Sequence, residues 1–370
     1  NALEKEGVSF YTGVPDSLLK NFCFYVNDNV SKKRHIISAN EGNAIAIAAG
    51  YNLATGEIPL VYMQNSGLGN AVNPLLSLCD PDVYSIPMIL LIGWRGFPGE
   101  VDEPQHIKQG KIQIALLETM EIPHCTISSE DHQFEEKIKN GLIVARANNR
   151  PFAILVRKET FNKYIPRLKN KNIGSILREE ALEIILSRLP SNAIIVSTTG
   201  KTSREVFEIR QKNNSDHGSD FLTVGSMGHC SSIALGIAIA RPNLKIICID
   251  GDGSLIMHMG GLSTIGKIKP KNFFHILINN EVHESVGGQS TGSKNIDMQA
   301  LAKSNGYKNL YFADKAESIK SQFSNLISHH GPSFLEIRVE PGSRENLGRP
   351  SLSPSENKES FVHSIKKKNP

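Results

Sequence analysis

Residues 249–288 read IDGDGSLIMHMGGLSTIGKIKPKNFFHILINNEVHESVGG. An apolar run, Ile246 to Ile249, ends in Asp250-Gly251-Asp252-Gly253-Ser254, and a second, Phe273 to Ile278, ends in Asn279-Asn280. A segment of helical length separates them, so the stretch predicts strand, helix, strand. In an open parallel sheet the carboxyl ends of such strands line the ligand crevice, which sets Asp252 beside Asn280. An aspartate, an amide oxygen and a backbone carbonyl make a hard-oxygen site, suited to Mg2+ when a phosphate supplies the remaining ligands. Gly251 and Gly253 let the backbone approach a diphosphate and offer it N–H groups. The helix that follows points its amino end at the same charge. GDG alone also fits a tight turn with a helix-capping aspartate, but that leaves the amide pair after the next strand without a task.

The chain around this stretch has 370 residues, room for two ordinary domains. Hydrophobic residues make up 39% and charged residues 21%, a composition that supports a sizeable core. The net charge of +4, with both signs interspersed, calls for no nucleic acid but suits an anionic substrate. Cys23, Cys79, Cys125, Cys230 and Cys248 show no zinc or redox spacing, and an odd, scattered set fits a reducing cytoplasm. No apolar run reaches the length of a membrane span, and no signal peptide is visible; a cytoplasmic location is expected.

Outward from the motif, strands and helices alternate. In the first half, strands are expected at Val8 to Thr12, His35 to Ser38, Leu60 to Met63, Pro87 to Gly93 and Phe152 to Val156; in the second, at Ala193 to Ser197, Phe221 to Val224 and Ser333 to Arg338. Alternation of this kind implies α/β architecture with doubly wound parallel sheets. From Arg157 to about Gly174 the chain turns basic and loses its period. We divide it into a domain at 1–165, a linker at 166–180 and a second domain at 181–370, whose tail after Pro341 is expected to wrap the surface or fray.

GDGS followed by NN at this separation resembles the diphosphate-and-magnesium motif of thiamine diphosphate enzymes. The resemblance implies two domains of that fold, pyrimidine-binding and then diphosphate-binding, with no domain between them. It makes Asp252, Asn280 and the backbone of Val282 the metal ligands. ISANEGNA, residues 37–44, is similar to the pyrimidine-side segment, in which the glutamate, here Glu41, hydrogen-bonds the aminopyrimidine and promotes formation of the nucleophilic carbon. Read without the resemblance, Glu41 is a helix-start glutamate favoured by the dipole. Met227, in GSMG, takes the place of the bulky apolar residue that enforces the bent cofactor, although Met is also a common gap-filler in cores. Gly225, Ser226, Gly228 and His229 are candidate cofactor contacts, as are Gly251, Gly253 and Ser254.

TGVPDS, GLGNAVNPL, DEPQH, STTGKTSRE and NNEVHESVGGQ are similar to motifs of the short decarboxylases of this family, from Thr12 to the ENK segment at Glu356. That likeness implies decarboxylation of 3-phosphonopyruvate to phosphonoacetaldehyde and CO2, in phosphonate biosynthesis. The alternative substrate is sulfopyruvate or another 2-keto acid, and the alternative of another class is a non-catalytic phosphate- or nucleotide-binding α/β protein. Asp16, His106, His283 and Glu284 are candidates for the acid that protonates carbon after CO2 has left. Asp16 equally reads as a helix cap, and His106 as a surface histidine. Arg95, Lys108, Lys201, Arg204 and Lys294, with Gln289, Ser290 and Thr291, are candidates for the anionic tail. The family arrangement implies a homodimer or larger, with Glu41 and Asp252 meeting across the subunit interface.

Overall fold

The computed structural model describes residues 2–167 and 174–368. The chain divides into two units, Asn1–Lys169 and Asn170–Pro370. Of the span expected as linker, residues 168–173 lie outside the described residues. Leu177 forms a parallel bridge to Glu340, and the helix Arg178–Leu186 starts before the linker was expected to end.

In the first unit, β1 (Tyr11–Gly13), β2 (His35–Ile37), β3 (Leu60–Gln64), β4 (Ile89–Gly93), β5 (His124–Ile127) and β6 (Phe152–Val156) form a parallel sheet in the order β2-β1-β3-β4-β6-β5. Parallel sheets are covered on both faces, so their strands read as unbroken apolar runs. ILLIG in β4 and FAILV in β6 are buried throughout. Alternate residues feed two cores: Val61, Met63, Leu90 and Ile92 enter one, and Leu60, Tyr62, Ile89 and Leu91 the other. Each buried side chain of this size contributes roughly 1.5–3 kcal/mol over its exposed state. The helix Glu41–Thr55 is capped by Asn40, whose side chain accepts the Asn43 N–H at 2.9 Å, and it ends at Gly56 with φ 74°.

In the second unit the strands are β7 (Ala193–Ser197), β8 (Asp220–Leu222), β9 (Lys245–Gly251), β10 (Phe273–Asn279), β11 (Val282–His283), β12 (Gln289–Ser290), β13 (Asn309–Ala313) and β14 (Ser333–Arg338). The parallel sheet runs β13-β14-β10-β9-β7-β8, and β11 pairs with β12 as a small antiparallel hairpin. Counting β7, β8, β9, β10, β13 and β14 as first to sixth, both sheets share one order, 2-1-3-4-6-5. The single helix expected between β9 and β10 is two, Asp252–Met257 and Gly261–Ile268.

Of the two courses expected for the tail, wrapping the surface or fraying, it takes the first. Its helix Pro354–Lys367 starts with proline in the first turn and a Ser353/Glu356 capping box. Asn357 accepts the Leu222 N–H at 3.1 Å and donates to the Asp220 carbonyl at 2.9 Å, so the tail closes over the β8 edge rather than fraying. Among the described residues no helix is long and apolar enough to cross a membrane.

Candidate active site

In the second unit, the loops after β7, β8, β9 and β10 leave adjoining strands at their carboxyl ends. The expected metal ligands Asp252, Asn280 and Val282 line one cavity there with Met227, Gly251, Gly253, Ser254, His283 and Glu284. Ser254 ties three of these loops together. Its hydroxyl oxygen accepts the Thr198 hydroxyl at 3.0 Å and the Gly228 N–H at 3.1 Å. Ser226 holds a left-handed backbone at φ 57° and turns the chain ahead of Gly228. Gly225, Ser226, Gly228 and His229 stand outside the cavity lining, and the exposed His229 ring packs against His258 with centroids 4.4 Å apart.

Asp252 is 3% exposed, and burial pushes its carboxyl up to about 6. It accepts the Thr291 hydroxyl, and no cationic side chain among the described residues acts on it. A buried carboxylate beside an amide, with neutral donors only, is a donor set that a divalent cation completes. Gly253 leaves the approach open: a Cβ there would lie 2.9 Å from the His283 ring. Asn280 Oδ1 accepts the Val282 N–H at 3.2 Å, and its Nδ2 donates to Glu284 at 2.9 Å. These residues therefore fit the phosphate-and-metal half of the cofactor site.

The proton-donor candidates differ in environment. Burial raises Glu284, but Arg178 at 2.7 Å and Lys201 at 2.8 Å outweigh it and hold the carboxylate ionised. Burial pushes the His283 imidazole down to about 4. In the first unit, burial raises Asp16 against hydrogen bonds from Gln64 at 2.6 Å and from the Leu18 and Leu19 N–H groups. Asp16 thus does cap the turn, and it is also fully buried. A Cβ at Gly93 would lie 2.2 Å from its Oδ2. His106 is not a surface residue: it is 8% exposed, and burial followed by Arg95 pushes it down to about 4.

Glu41 opens its helix after β2, 5% exposed, and burial raises its carboxyl. Oε2 accepts the Asn70 amide at 2.8 Å. Asp16, Glu41 and Arg95 follow β1, β2 and β4, and Gln64 ends β3; these four strands adjoin in the sheet. A larger cavity of about 800 Å3 in this unit contains none of the expected site residues.

Among the tail-binding candidates, Arg95 is engaged by Asp102 and Ser17, and Lys201 by Glu284 and Ser343. Lys108, Lys294 and Ser290 are exposed, whereas burial lowers the pKa of Arg204. Thr291 is turned to Asp252, and Gln289 is buried with neither amide atom hydrogen-bonded among the described residues. The sequence reading passed over Arg178, Thr198, Asn70 and Ser293. Thr198 lay in a quoted motif, as did Asn70; Arg178 carried no local signal.

Two parallel-sheet units, one with a metal-competent strand-end pair and one with a buried strand-end glutamate, define a thiamine pyrophosphate enzyme. Residues 1–117 match the N-terminal TPP binding domain of that family, and residues 198–337 its C-terminal TPP binding domain. The chain is 33% identical to the phosphonopyruvate decarboxylase of Streptomyces viridochromogenes, over 95% of this chain and 89% of that one. It is 32% identical to the phosphonopyruvate decarboxylase of Streptomyces hygroscopicus, over 95% and 88%. To the sulfopyruvate decarboxylase of Methanosarcina acetivorans it is 28% identical, over 98% and 95%. The chain belongs to the phosphonopyruvate decarboxylase group of thiamine pyrophosphate enzymes, to which sulfopyruvate decarboxylase is related.

Proposed function

We propose that this chain decarboxylates 3-phosphonopyruvate to phosphonoacetaldehyde and CO2, as a step in phosphonate biosynthesis, using thiamine diphosphate and Mg2+. The observation that carries this reading is the buried, cation-free Asp252 beside Asn280, in a chain whose whole length resembles the two Streptomyces enzymes. Bound thiamine diphosphate supplies the carbon nucleophile and the electron sink for CO2 loss.

The residues do the rest. Asp252, the Asn280 amide oxygen and the Val282 carbonyl would hold the magnesium ion. Backbone N–H groups of Gly251, Gly253 and Ser254 would meet the diphosphate, and Met227 would support the bent form. Burial raises the Glu41 carboxyl and so favours its protonated form. The Asn70 amide occupies Oε2, so the proton belongs on Oε1, the atom a ring nitrogen would meet. Glu284, held ionised, positions Asn280 rather than giving up a proton. Of the donor candidates, Asp16 is the carboxyl whose protonated form burial favours.

The second unit's cavity, about 100 Å3, is below the ~300–1,000 Å3 of pockets that enclose an organic ligand. We therefore read the working enzyme as a homodimer or larger, in which another chain's surface completes the site. The five free cysteines suit a cytoplasmic setting. Titration calorimetry tests the cofactor assignment: wild type should bind thiamine diphosphate only with Mg2+, and Asp252→Asn should not bind. Metal-independent binding, or equal binding by the variant, would refute it.

A further inference from the structure

On the sheet face opposite the core that holds Ile247 and Ile249, three ligand-type side chains meet. Cys248 and Asp250 are two residues apart on β9 and so share a face. His275 is the register partner of Cys248 on β10. Their ligand atoms lie within 4.8 Å of one another, and all three side chains are fully buried. Asp250 Oδ2 and His275 Nε2 face each other at 3.6 Å, too far for a hydrogen bond, and neither has a hydrogen-bond partner among the described residues. The other side of each group is satisfied. Asp250 Oδ1 accepts the Gly251 N–H at 2.9 Å, and His275 Nδ1 lies 3.0 Å from the Tyr307 hydroxyl. Paired at most as ions and without a hydrogen bond between them, these two groups and the adjacent thiol present three converging donors that a ligand would satisfy.

We propose that Cys248, Asp250 and His275 form a structural site for zinc or a chemically similar divalent ion, separate from the magnesium ligands. Thiolate, imidazole and carboxylate are the donors that select zinc, whereas Asp252 and Asn280 offer oxygen only. Bonds of ~2.0–2.3 Å at tetrahedral angles set ligand atoms ~3.3–3.8 Å apart, the range in which the His275–Asp250 contact falls. One thiolate and one carboxylate balance a divalent charge, so the buried cluster is neutral as a whole. With Nδ1 donating to the Tyr307 hydroxyl, Nε2 is free to bind the ion. Cys230 Sγ, at the start of the helix Cys230–Ala240, stands 3.5 Å from Cys248 Sγ but outside the three-ligand cluster, donating to the Val196 carbonyl. The ion would join β9 and β10 just below the turn that presents Asp252.

The test is the metal content of the full chain, produced in zinc-supplemented and in cobalt-supplemented cells, saturated with thiamine diphosphate and Mg2+, then passed through EDTA. Mass spectrometry of the elements should find close to one zinc or cobalt ion per chain. The cobalt form should show thiolate-to-cobalt absorption in the near ultraviolet. Cys248→Ser should abolish that band, and Asp252→Asn should keep it. Chains that emerge with magnesium alone, or a band that survives Cys248→Ser, would overturn the proposal.

Discussion

Gly67 lies directly against Glu41: a Cβ at residue 67 would stand 2.2 Å from Glu41 Oε1. Gly67 has an ordinary right-handed backbone, φ −77°, so alanine meets no conformational obstacle there. The space its missing side chain leaves is where the glutamate carboxyl lies.

Gly67→Ala therefore separates carboxyl placement from folding. Overpacking costs about 1–3 kcal/mol, which a folded enzyme of this size survives, but Oε1 must move. Turnover should fall by about 100-fold or more, while the circular dichroism spectrum stays native. Full activity in the alanine variant would mean that Glu41 is not used where it lies.

Glu41→Gln should lower kcat by ~10²–10⁴. It should also change how stability depends on pH. Burial raises the folded carboxyl above the ordinary glutamate value. Folded Glu41 thus binds more proton than unfolded Glu41, and its contribution is present at low pH and lost as pH rises through the folded value. The variant lacks that loss. Thermal melts should show the variant gaining on wild type as pH rises above the ordinary glutamate range. A constant difference as pH rises would contradict a neutral Glu41.

Glu284→Gln distinguishes positioning from proton donation. Loss of the carboxylate loosens Asn280, and groups that orient metal ligands typically govern ~10–100-fold in metal affinity. The Mg2+ concentration for half-maximal activity should rise by about that factor, with kcat at saturation little changed. A collapse in kcat with unaltered Mg2+ dependence would restore Glu284 as the acid.

Arg178→Met should be the most destabilising of these changes. Arg178 is 5% exposed and binds Glu205 through Nε and Nη2 at 2.6 and 2.8 Å. Removing it leaves the buried Glu205 carboxylate without its cation and Glu284 with Lys201 alone, a loss of about 3–5 kcal/mol. Chemical denaturation would read this as a drop in midpoint.

How far the fold is legible follows from burial. Central strands such as β4 and β10 are covered on both faces, so composition alone marks them. The two six-strand-sheet members that the sequence reading missed, β5 and β13, are both the fifth strand of their sheet and both lie at its edge. HCTI and NLYFA are largely half-buried and mix polar with apolar residues, so neither period nor composition sets them apart. The motif loops were readable because ligand-type residues cluster where strands end. Arg178 was not, because it meets Glu284 across 106 residues, and only the folded chain brings the two together.

The most direct measurement is the rate of CO2 release from 3-phosphonopyruvate, 3-sulfopyruvate and pyruvate, each with and without thiamine diphosphate and Mg2+. The account predicts release that requires both, with kcat/KM highest for 3-phosphonopyruvate. Preference for 3-sulfopyruvate would contradict the assigned substrate, and release from none of the acids, or release without the cofactor, would contradict the assigned chemistry.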